Sequence, residues 1–402
     1  MRQVLEGNIL SFWLEHMRDT ECGGWFGQMT GRGELVPDAP RGAILYGRLL
    51  WTFSAAYRVL HKDAYLEAAT RTKEYIEAYF IDHEQGGVYW SVSADGRPLD
   101  TKKQFYAIGF VLYGFSEYAR ATGDADALHT ALQLFDVIER YGRDQWHGGY
   151  VEACTCHWQP IADMRLSDKD QNTPKSQNTH LHIIEPYTNL MRALNECHVP
   201  ATDECQQRLS NALQHLIDIF VTRIFNPSTG HLDLFFDMDW TRLSERVSYG
   251  HDIEASWLLD DANQMLHGAS LTGPIPAIVQ QLAITSQEGI LPDGSVAYEG
   301  IPVQGPHGMP GGEPVDSERH WWVQAEAIVG LVNIYRRFGD ADALQKAARI
   351  WDYTKQHLID HQHGEWFWSI LPDGTVNLAD DHAGFWKCPY HNSRMCLRLI
   401  DN

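Results

Sequence analysis

The sequence predicts an all-α fold, an (α/α)6 barrel of six helical hairpins, from three observations. A loop signature of glycines and aromatic residues recurs six times in 402 residues, as in repeat architectures. Each copy is accompanied by two stretches with apolar residues at three- and four-residue spacing, which is helical periodicity. The connections are short enough for antiparallel packing, and six such hairpins can close into a ring. No linker or change of composition divides the chain, so we expect residues 1–402 to form one domain.

The loop signature defines the repeat. Its six copies begin at Gly23, Gly86, Gly148, Gly230, Gly289 and Gly364. An Asp-Gly turn signal follows three of them, at Asp95-Gly96, Asp293-Gly294 and Asp373-Gly374. Six units in 402 residues average about 67 residues each (402/6).

Twelve stretches have helical periodicity, two for each copy of the signature. They are residues 2–18, 41–60, 63–81, 102–121, 124–140, 178–197, 202–222, 249–267, 271–287, 318–338, 340–358 and 385–400. The even-numbered stretches follow the long loops and are rich in aromatic and small residues. Because a helix that is apolar on most faces is a buried one, we assign these six to an inner ring. The long loops then gather at one mouth of the barrel, at the N-terminal ends of the inner helices.

Composition and charge restrict the partners of this chain. The formal net charge is −21 (32 − 53), and an acidic surface disfavours nucleic acids and anionic membranes. No stretch approaches the roughly 18 apolar residues that span a bilayer, and residues 1–17 lack the apolar region and cleavage site of an export signal. The seven cysteines of so long a chain indicate reduced thiols. We expect a cytoplasmic protein that acts as a monomer.

Two clusters contain metal-binding residue types, but their spacing does not favour a metal. Cys154, Cys156 and His157 are closer together than usual ligand pairs, and no second pair follows. His180 and His182 on a helix would diverge by roughly 200°. We therefore expect no metal site.

Polar residues on the inner helices are candidates for a functional site. Arg48 lies in the apolar run from Ala43 to Trp51, where a guanidinium needs a carboxylate partner or a ligand oxygen. A structural ion pair is the alternative for this arginine. Asn178 and His182 are four residues apart on the sixth helix and so share a face.

His251 and Glu254 are three residues apart at the start of the eighth helix and are therefore adjacent. A glutamate beside a histidine orients the imidazole and raises its pKa. An N-terminal capping arrangement is the alternative.

Further candidates lie on or just before the tenth and twelfth helices, where each could equally belong to the core. They are Trp321, Trp322, Trp386 and His391. In a closed ring, all these residues would converge on one central pocket with several imidazoles, one guanidinium and aromatic walls.

Five segments resemble the N-acylglucosamine 2-epimerase superfamily, and most closely its cellobiose 2-epimerase branch, which includes mannobiose-acting members. They are GAILYGRLLW (42–51), PKSQNTHLHIIE (174–185), GHDIEASW (250–257), ERHWWVQ (318–324) and residues 386–391. The resemblance covers nearly the whole chain. It implies an (α/α)6 barrel that needs no added cofactor and inverts C2 of the reducing-end sugar of a β-linked disaccharide.

The resemblance also implies a role for each candidate residue. His251 and His391 would be the acid/base pair, with Glu254 assisting His251, and His182 would serve ring opening and substrate holding. Polar contacts to the sugar would come from Arg48, Tyr106 and Asn178, and aromatic platforms from Trp321, Trp322 and Trp386. The long acidic loop 222–245, which contains FFDMDW, departs from the family pattern, and we expect it to shape the second-sugar subsite.

Three other functions fit parts of the sequence. An aldose–ketose isomerase would use the same enediolate and would yield a ketose. An inverting glycoside hydrolase would need two opposed carboxylates, for which Asp237 and Asp239, beside Trp240, are candidates without an identified counterpart on an inner helix. A non-catalytic sugar-binding protein would use the tryptophans but would leave a converging trio of histidines without a purpose.

Overall fold

The computed structural model describes residues 1–168, 170–197, 203–304 and 310–401, and these residues form twelve helices. Helix α1 comprises three consecutive helical segments, Arg2–Val4, Leu5–Leu10 and Ser11–His16. The others are α2 Ala43–Leu60, α3 Asp63–Tyr75, α4 Phe105–Thr122, α5 Ala125–Val137, α6 Gln177–Glu196, α7 Asp203–Ile219, α8 Tyr249–His267, α9 Pro274–Thr285, α10 Trp321–Phe338, α11 Ala341–Tyr353 and α12 Tyr390–Ile400. Helices α3, α5, α7 and α11 each continue into a π-helical turn. These turns are Ile76–Phe80, Ile138–Gly142, Phe220–Ile224 and Thr354–Leu358. All twelve predicted helices are confirmed, with shifts at their ends.

The even-numbered helices form the inner ring, as predicted. They pack in the order α2, α4, α6, α8, α10 and α12, and α12 packs against α2 to close the ring. Each of α3, α5, α7, α9 and α11 packs outside the helix that precedes it, and α1 packs against α12. This arrangement is an (α/α)6 barrel.

Short antiparallel strands connect neighbouring repeats at the mouth. They are β1 Arg41–Gly42, β2 Ser91–Val92, β3 Pro98–Asp100, β4 Lys103–Gln104, β5 Ala153–Cys154, β6 Lys175–Ser176, β7 Phe235–Phe236, β8 Val247–Ser248, β9 Glu299–Gln304, β10 Pro310–Asp316, β11 Arg319–His320 and β12 Ser369–Ile370. The strand that enters an inner helix pairs with a strand that follows the next signature loop, as Gly42 pairs with Ser91. The same pairing joins β4 to β5, β6 to β7, β8 to β9 and β11 to β12. The mouth is therefore a continuous rim of loops above the inner helices.

Burial explains why the even-numbered helices lie inside. All residues from Ala43 to Ala56 of α2 are buried, whereas α3 buries only a stripe at helical spacing. The inner helices also approach closely, because a Cβ added at Gly47 would lie 2.7 Å from a backbone carbon of Phe110 on α4. The glycines predicted to complete Asp-Gly turns have positive φ, 85° at Gly96 and 89° at Gly294, as such turns require.

Buried ion pairs fasten the signature loops to the strands that lead into the inner helices. The carboxylate of Asp82 lies 2.6 Å from Nζ of Lys103, and that of Asp144 lies 2.8 Å from Nζ of Lys175. Each aspartate also accepts backbone N–H groups of its own loop. Burial alone would raise the pKa of Asp144, but hydrogen bonds from Lys175 and the loop amides lower it to about 2.

The fourth repeat uses a histidine in place of such a cation. Nδ1 of His231 lies 2.7 Å from Oδ2 of Asp252, and Nε2 lies 3.3 Å from Oε2 of Glu288. Burial would lower the pKa of this imidazole, yet the two carboxylates raise it to about 10. At neutral pH His231 is therefore a buried imidazolium that joins its loop to α8 and to the turn that follows α9.

Two further features concern the described residues as a whole. None of their helices is both long enough and apolar enough to cross a membrane. All seven cysteines have free thiols.

We predict that His231→Gln lowers the free energy of unfolding by about 3–5 kcal/mol below pH 6, because it removes the cation from a buried pair. The folded-state pKa of about 10 exceeds the ordinary 6.5, so this stabilisation is complete below pH 6.5 and is lost as pH rises towards 10. Denaturant unfolding of both proteins across this range measures the difference.

The matched control is His363→Gln. The side chain of His363 is 66% exposed, and its Nδ1 lies 3.0 Å from the carboxylate of Asp360. We expect an effect below about 1 kcal/mol there. A wild-type advantage over His231→Gln that stays constant from pH 6.5 to 10 would contradict the assignment of a buried imidazolium.

Candidate functional site

A cavity of about 710 Å³ lies at the mouth of the barrel, and all ten residues predicted for the site line it. They are Arg48, Tyr106, Asn178, His182, His251, Glu254, Trp321, Trp322, Trp386 and His391. Nine lie in the first two turns of an inner helix, and Trp386 lies in the segment before α12. The ring therefore brings them together, and the volume is typical of a small-molecule site.

Glu326 on α10 orients His391, and the sequence did not single it out. Oε1 of Glu326 lies 2.8 Å from Nδ1 of His391, and its Oε2 accepts a hydrogen bond from Nε1 of Trp257 at 3.0 Å. A carboxylate at Nδ1 makes that nitrogen the protonated one and leaves Nε2 to act on a ligand.

His182 has a similar carboxylate partner on its own helix. Its Nδ1 lies 3.1 Å from Oε2 of Glu185, three residues further along α6. His180 faces away, as predicted: its Nδ1 lies 2.7 Å from the carbonyl oxygen of Ser176 and its Nε2 accepts the N–H of Tyr150.

The predicted pairing of Glu254 with His251 is wrong. Nδ1 of His251 has no hydrogen-bond partner among the described residues, and the first turn of α8 is capped by Ser248. Glu254 instead accepts a hydrogen bond from Arg394 at 2.5 Å. Its carboxylate lies 4.0 Å from Nε2 of His182 and 3.9 Å from Nδ1 of His391.

Arg394 on α12 connects the acidic groups beneath the cavity. Its Nη2 donates to Glu254 and, at 2.7 Å, to Glu326, while its Nη1 donates to Glu185. The hydroxyl of Tyr390 also donates to Glu185. One buried guanidinium therefore fixes three buried carboxylates from three different inner helices, and two of these carboxylates orient histidines of the cavity.

Three residues of metal-binding type beside Arg394 are spaced as metal ligands are, and the Arg394 guanidinium explains why they lie close together. Ligand atoms of Glu254, Glu326 and His391 lie within 4.8 Å of one another. Arg394 donates to both carboxylates, so its guanidinium supplies the positive charge at that place.

Arg48 is a second buried cation, in a different environment. Its Nη2 donates to the hydroxyl of Tyr106 at 2.8 Å, and its guanidinium lies 4.2 Å from the ring centroid of Phe110. Among the described residues it makes no ion pair with a carboxylate within 4.0 Å, so the alternative of a structural ion pair is not realised. This cation faces the cavity and is available to a negatively charged oxygen of a ligand.

Trp322 lies against both histidines of the predicted acid/base pair. Its ring centroid is 4.8 Å from that of His251 and 5.7 Å from that of His391. Further aromatic walls come from residues that the sequence prediction did not assign to the site, Trp90, Tyr298, His320 and Trp368. Trp90, Tyr298 and Trp368 belong to the signature loops, which could have indicated them.

Burial sets the protonation of these groups. It lowers the pKa of His251 to about 3, with a smaller contribution from His182. It also lowers the pKa of His182 and of His391, the latter with help from Arg48 and Arg394. Burial and the nearby Glu326 raise the pKa of Glu254 well above its ordinary value. Without a ligand the three imidazoles are neutral, and Glu254 is able to hold a proton.

The acidic loop 222–245 does not line this cavity, contrary to our expectation. Its Trp240 packs against His180 with ring centroids 5.2 Å apart and donates to the carbonyl of His147 at 2.9 Å. Lys175 holds the loop through the carbonyl of Met238 at 2.7 Å. Only Leu234 and Phe235 approach the site, where they line a smaller cavity of about 60 Å³ beside it.

Comparisons with known proteins show what this chain resembles in sequence and in fold. Residues 24–393 match the N-acylglucosamine 2-epimerase (GlcNAc 2-epimerase) family. A cellobiose 2-epimerase of Bacteroides fragilis is 50% identical over 400 residues, which cover 100% of this chain and 97% of that protein. A cellobiose 2-epimerase of Ruminococcus albus is 36% identical, with the same shares covered. The structure of cellobiose 2-epimerase from Bacillus thermoamylovorans B4167 superposes with a TM-score of 0.89 at 38% identity and covers 100% of this chain and 97% of that chain.

We predict that Arg394→Lys lowers the free energy of unfolding by about 3 kcal/mol, because one ammonium cannot replace a planar guanidinium among three buried carboxylates. Thermal and denaturant unfolding measure the loss. Arg398→Lys, on the same helix, is the matched control, since the Arg398 side chain is 35% exposed and lies 3.4 Å from Asp261. An Arg394→Lys protein no less stable than the control would contradict a central role for this guanidinium.

Proposed function

The chain belongs to the N-acylglucosamine 2-epimerase family, and we propose that it inverts C2 of the reducing-end sugar of a β-linked disaccharide such as cellobiose or mannobiose. The observation that carries the proposal is the meeting of His251 and His391 against one tryptophan ring, in a cavity that also holds an arginine free of carboxylate partners. Relatives named as cellobiose 2-epimerases across the full length of the chain support the disaccharide.

Inversion requires a base on one face of C2 and an acid on the other. The hydrogen on C2 of the open-chain sugar is acidic because the neighbouring aldehyde can hold the negative charge. One neutral imidazole removes this proton, a planar cis-enediolate forms, and the other imidazole, protonated, returns a proton to the opposite face. Burial keeps both imidazoles unprotonated without ligand, so either can accept the C2 proton. The imidazole that serves as the acid takes up a proton from solvent, and the negative charge of the enediolate favours that protonated form.

The two histidines of the pair differ in the hydrogen-bond partner of Nδ1. Glu326 holds Nδ1 of His391 and stabilises its imidazolium, as a carboxylate does in acid/base catalysis. His251 has no such carboxylate. Glu326 therefore fixes the ring of His391 in one orientation and tautomer, whereas no carboxylate does this for His251.

Arg48 stabilises the enediolate. Its guanidinium lies over the ring of Phe110 and is tied to Tyr106, so its geometry is fixed before the substrate binds. A fixed cation aimed at the developing charge on O1 or O2 stabilises the transition state more than the ground state.

Ring opening precedes epimerisation and needs its own proton transfers. His182 and Glu254 serve this step in the proposal: their side chains lie 4.0 Å apart, one neutral imidazole and one carboxyl with a raised pKa. Glu254 thus works with His182 and His391 rather than as the partner of His251. Trp321, Trp322 and Trp386 hold the sugar rings by stacking, and Asn178 and Tyr106 contact their hydroxyls.

The alternatives receive less support from the site. An isomerase would use the same histidines, so only its ketose product distinguishes it. A hydrolase based on Asp237 and Asp239 lacks support, because neither residue lines the cavity. The proton transfers described here need only side chains of this chain, and we propose that residues 1–402 form a single catalytic domain that acts as a monomer without a cofactor. The free thiols support a reducing compartment such as the cytoplasm.

We predict that cellobiose incubated with the protein in heavy water gives glucosyl-mannose with deuterium at C2, because the returning proton comes from a histidine that exchanges with solvent. NMR and mass spectrometry of the products measure the label and identify the sugar. Epimer without deuterium would exclude the proton-transfer route, a ketose as main product would indicate an isomerase, and free monosaccharides a hydrolase.

We predict that His251→Asn and His391→Asn each lower kcat at least about 100-fold, since acid/base groups contribute roughly 10²–10⁴. Both proteins should keep the wild-type circular dichroism spectrum. His147→Asn is the control, because its side chain is 48% exposed and lies outside the cavity, and it should keep full activity. If either cavity variant retains more than a tenth of wild-type kcat, that histidine is not the acid or base.

A further inference from the structure

The entrance of the cavity is strongly acidic. Loop and strand residues that line it contribute seven carboxylates and two cations, a balance of −5 (2 − 7) among the described residues. The carboxylates are Asp163, Asp168, Asp170, Asp316, Glu318, Asp380 and Asp381, and the cations are Lys102 and Arg165. None of the seven belongs to an inner helix, whereas the groups assigned to the chemistry lie on the inner helices or next to them.

The two cations are already engaged by the protein. Arg165 binds Asp163 through two hydrogen bonds of 2.9 and 2.8 Å. Lys102 donates to the carbonyl of Arg165 at 3.4 Å and lies 4.8 Å from the ring centroid of Trp90. Neither presents an uncommitted positive charge to an incoming ligand.

Several of the carboxylates, in contrast, are held by uncharged donors. Asp381 accepts from Nε2 of Gln28 at 2.8 Å, Asp316 from the backbone N–H of Glu318 at 3.0 Å, and Asp170 from Ser167 at 2.7 Å. Such hydrogen bonds fix the carboxylates without cancelling their charge. The entrance therefore has a negative potential, which a cleft with low-dielectric walls concentrates.

The groups available to a reducing-end sugar lie deeper in the same cavity. Oε2 of Glu254 and Nε1 of Trp321 are buried and have no hydrogen-bond partner among the described residues. A reducing-end sugar bound at these groups and the histidines would place its distal sugar among the entrance loops.

We propose that the acidic entrance selects substrates by charge, admitting disaccharides whose distal sugar is neutral or cationic and excluding those with a uronic acid there. This inference rests on the proposed function and adds the class of distal sugar. Like charges placed together reject a partner more effectively than a neutral wall does. Neutral hydroxyls, and the ammonium of an amino sugar, meet no such penalty.

Three β-1,4-linked disaccharides with glucose at the reducing end test the proposal: cellobiose, glucuronosyl-glucose and glucosaminyl-glucose. At about 10 mM salt, where the Debye length is about 30 Å, we expect kcat/KM for the uronic acid to be at least about tenfold below that for cellobiose. The amino sugar should at least equal cellobiose. At about 1 M salt, where the Debye length is about 3 Å, the uronic acid should approach cellobiose.

The double variant Asp316→Asn/Asp381→Asn should raise the ratio of kcat/KM for the uronic acid to kcat/KM for cellobiose about threefold or more at low salt. Asp239→Asn, an aspartate outside the cavity whose contact with Thr241 N–H at 3.0 Å an asparagine oxygen can keep, is the matched control and should leave the ratio unchanged. A ratio near one at low salt would overturn the proposal. So would a low ratio that neither salt nor the double variant changes, because that result indicates exclusion by shape.

Failure of the proposed function would be visible separately, as absence of cellobiose conversion. Charge selection would then be measured as binding, from the tryptophan fluorescence of the protein titrated with the three disaccharides reduced to alditols. Equal affinity for the neutral and anionic alditols at low salt would overturn the inference, and weaker, salt-dependent binding of the anion would support it.

Discussion

The site depends on a single buried guanidinium. Arg394 lies where the last inner helix completes the ring, and it holds Glu185, Glu254 and Glu326 from three other inner helices. Three buried carboxylates without a cation would repel one another and take up protons. With the cation present, Glu185 and Glu326 are fixed against His182 and His391. The orientation of two of the four histidines that line the cavity thus depends on one interaction.

The barrel separates chemistry from recognition. The first two turns of the inner helices carry the imidazoles, the carboxyl of Glu254 and Arg48, on a rigid scaffold that close packing at glycines such as Gly47 brings together. The loops above them carry aromatic walls and the acidic entrance. Loops can change without disturbing the helices below, so this division allows one proton-transfer centre to serve different sugars.

Sequence periodicity was sufficient for the fold and for much of the site. The repeat and the inner-helix assignment placed nine polar or aromatic residues in one cavity, because each helix start is fixed by its own signature loop, and the family resemblance added Tyr106. Spacing on one helix could not identify partners from other helices. His251 and Glu254 have i, i+3 spacing but do not pair, whereas His182 and Glu185 have the same spacing and do. Glu254 instead accepts a hydrogen bond from Arg394. Glu326 and Arg394 were missed because their contacts with each other and with His391 exist only once the ring has closed. The composition of loop 222–245 does not indicate that the loop binds Lys175.

The central claim is that His251 and His391 serve opposite faces of one carbon. A crystal structure with cellobiitol, the open-chain alditol of cellobiose, tests it most directly. We expect C2 of the glucitol moiety to lie between the two rings, with a ring nitrogen of each about 3–3.5 Å away and O1 or O2 near Arg48. Both rings on the same face of C2, or one of them out of reach of it, would contradict the account.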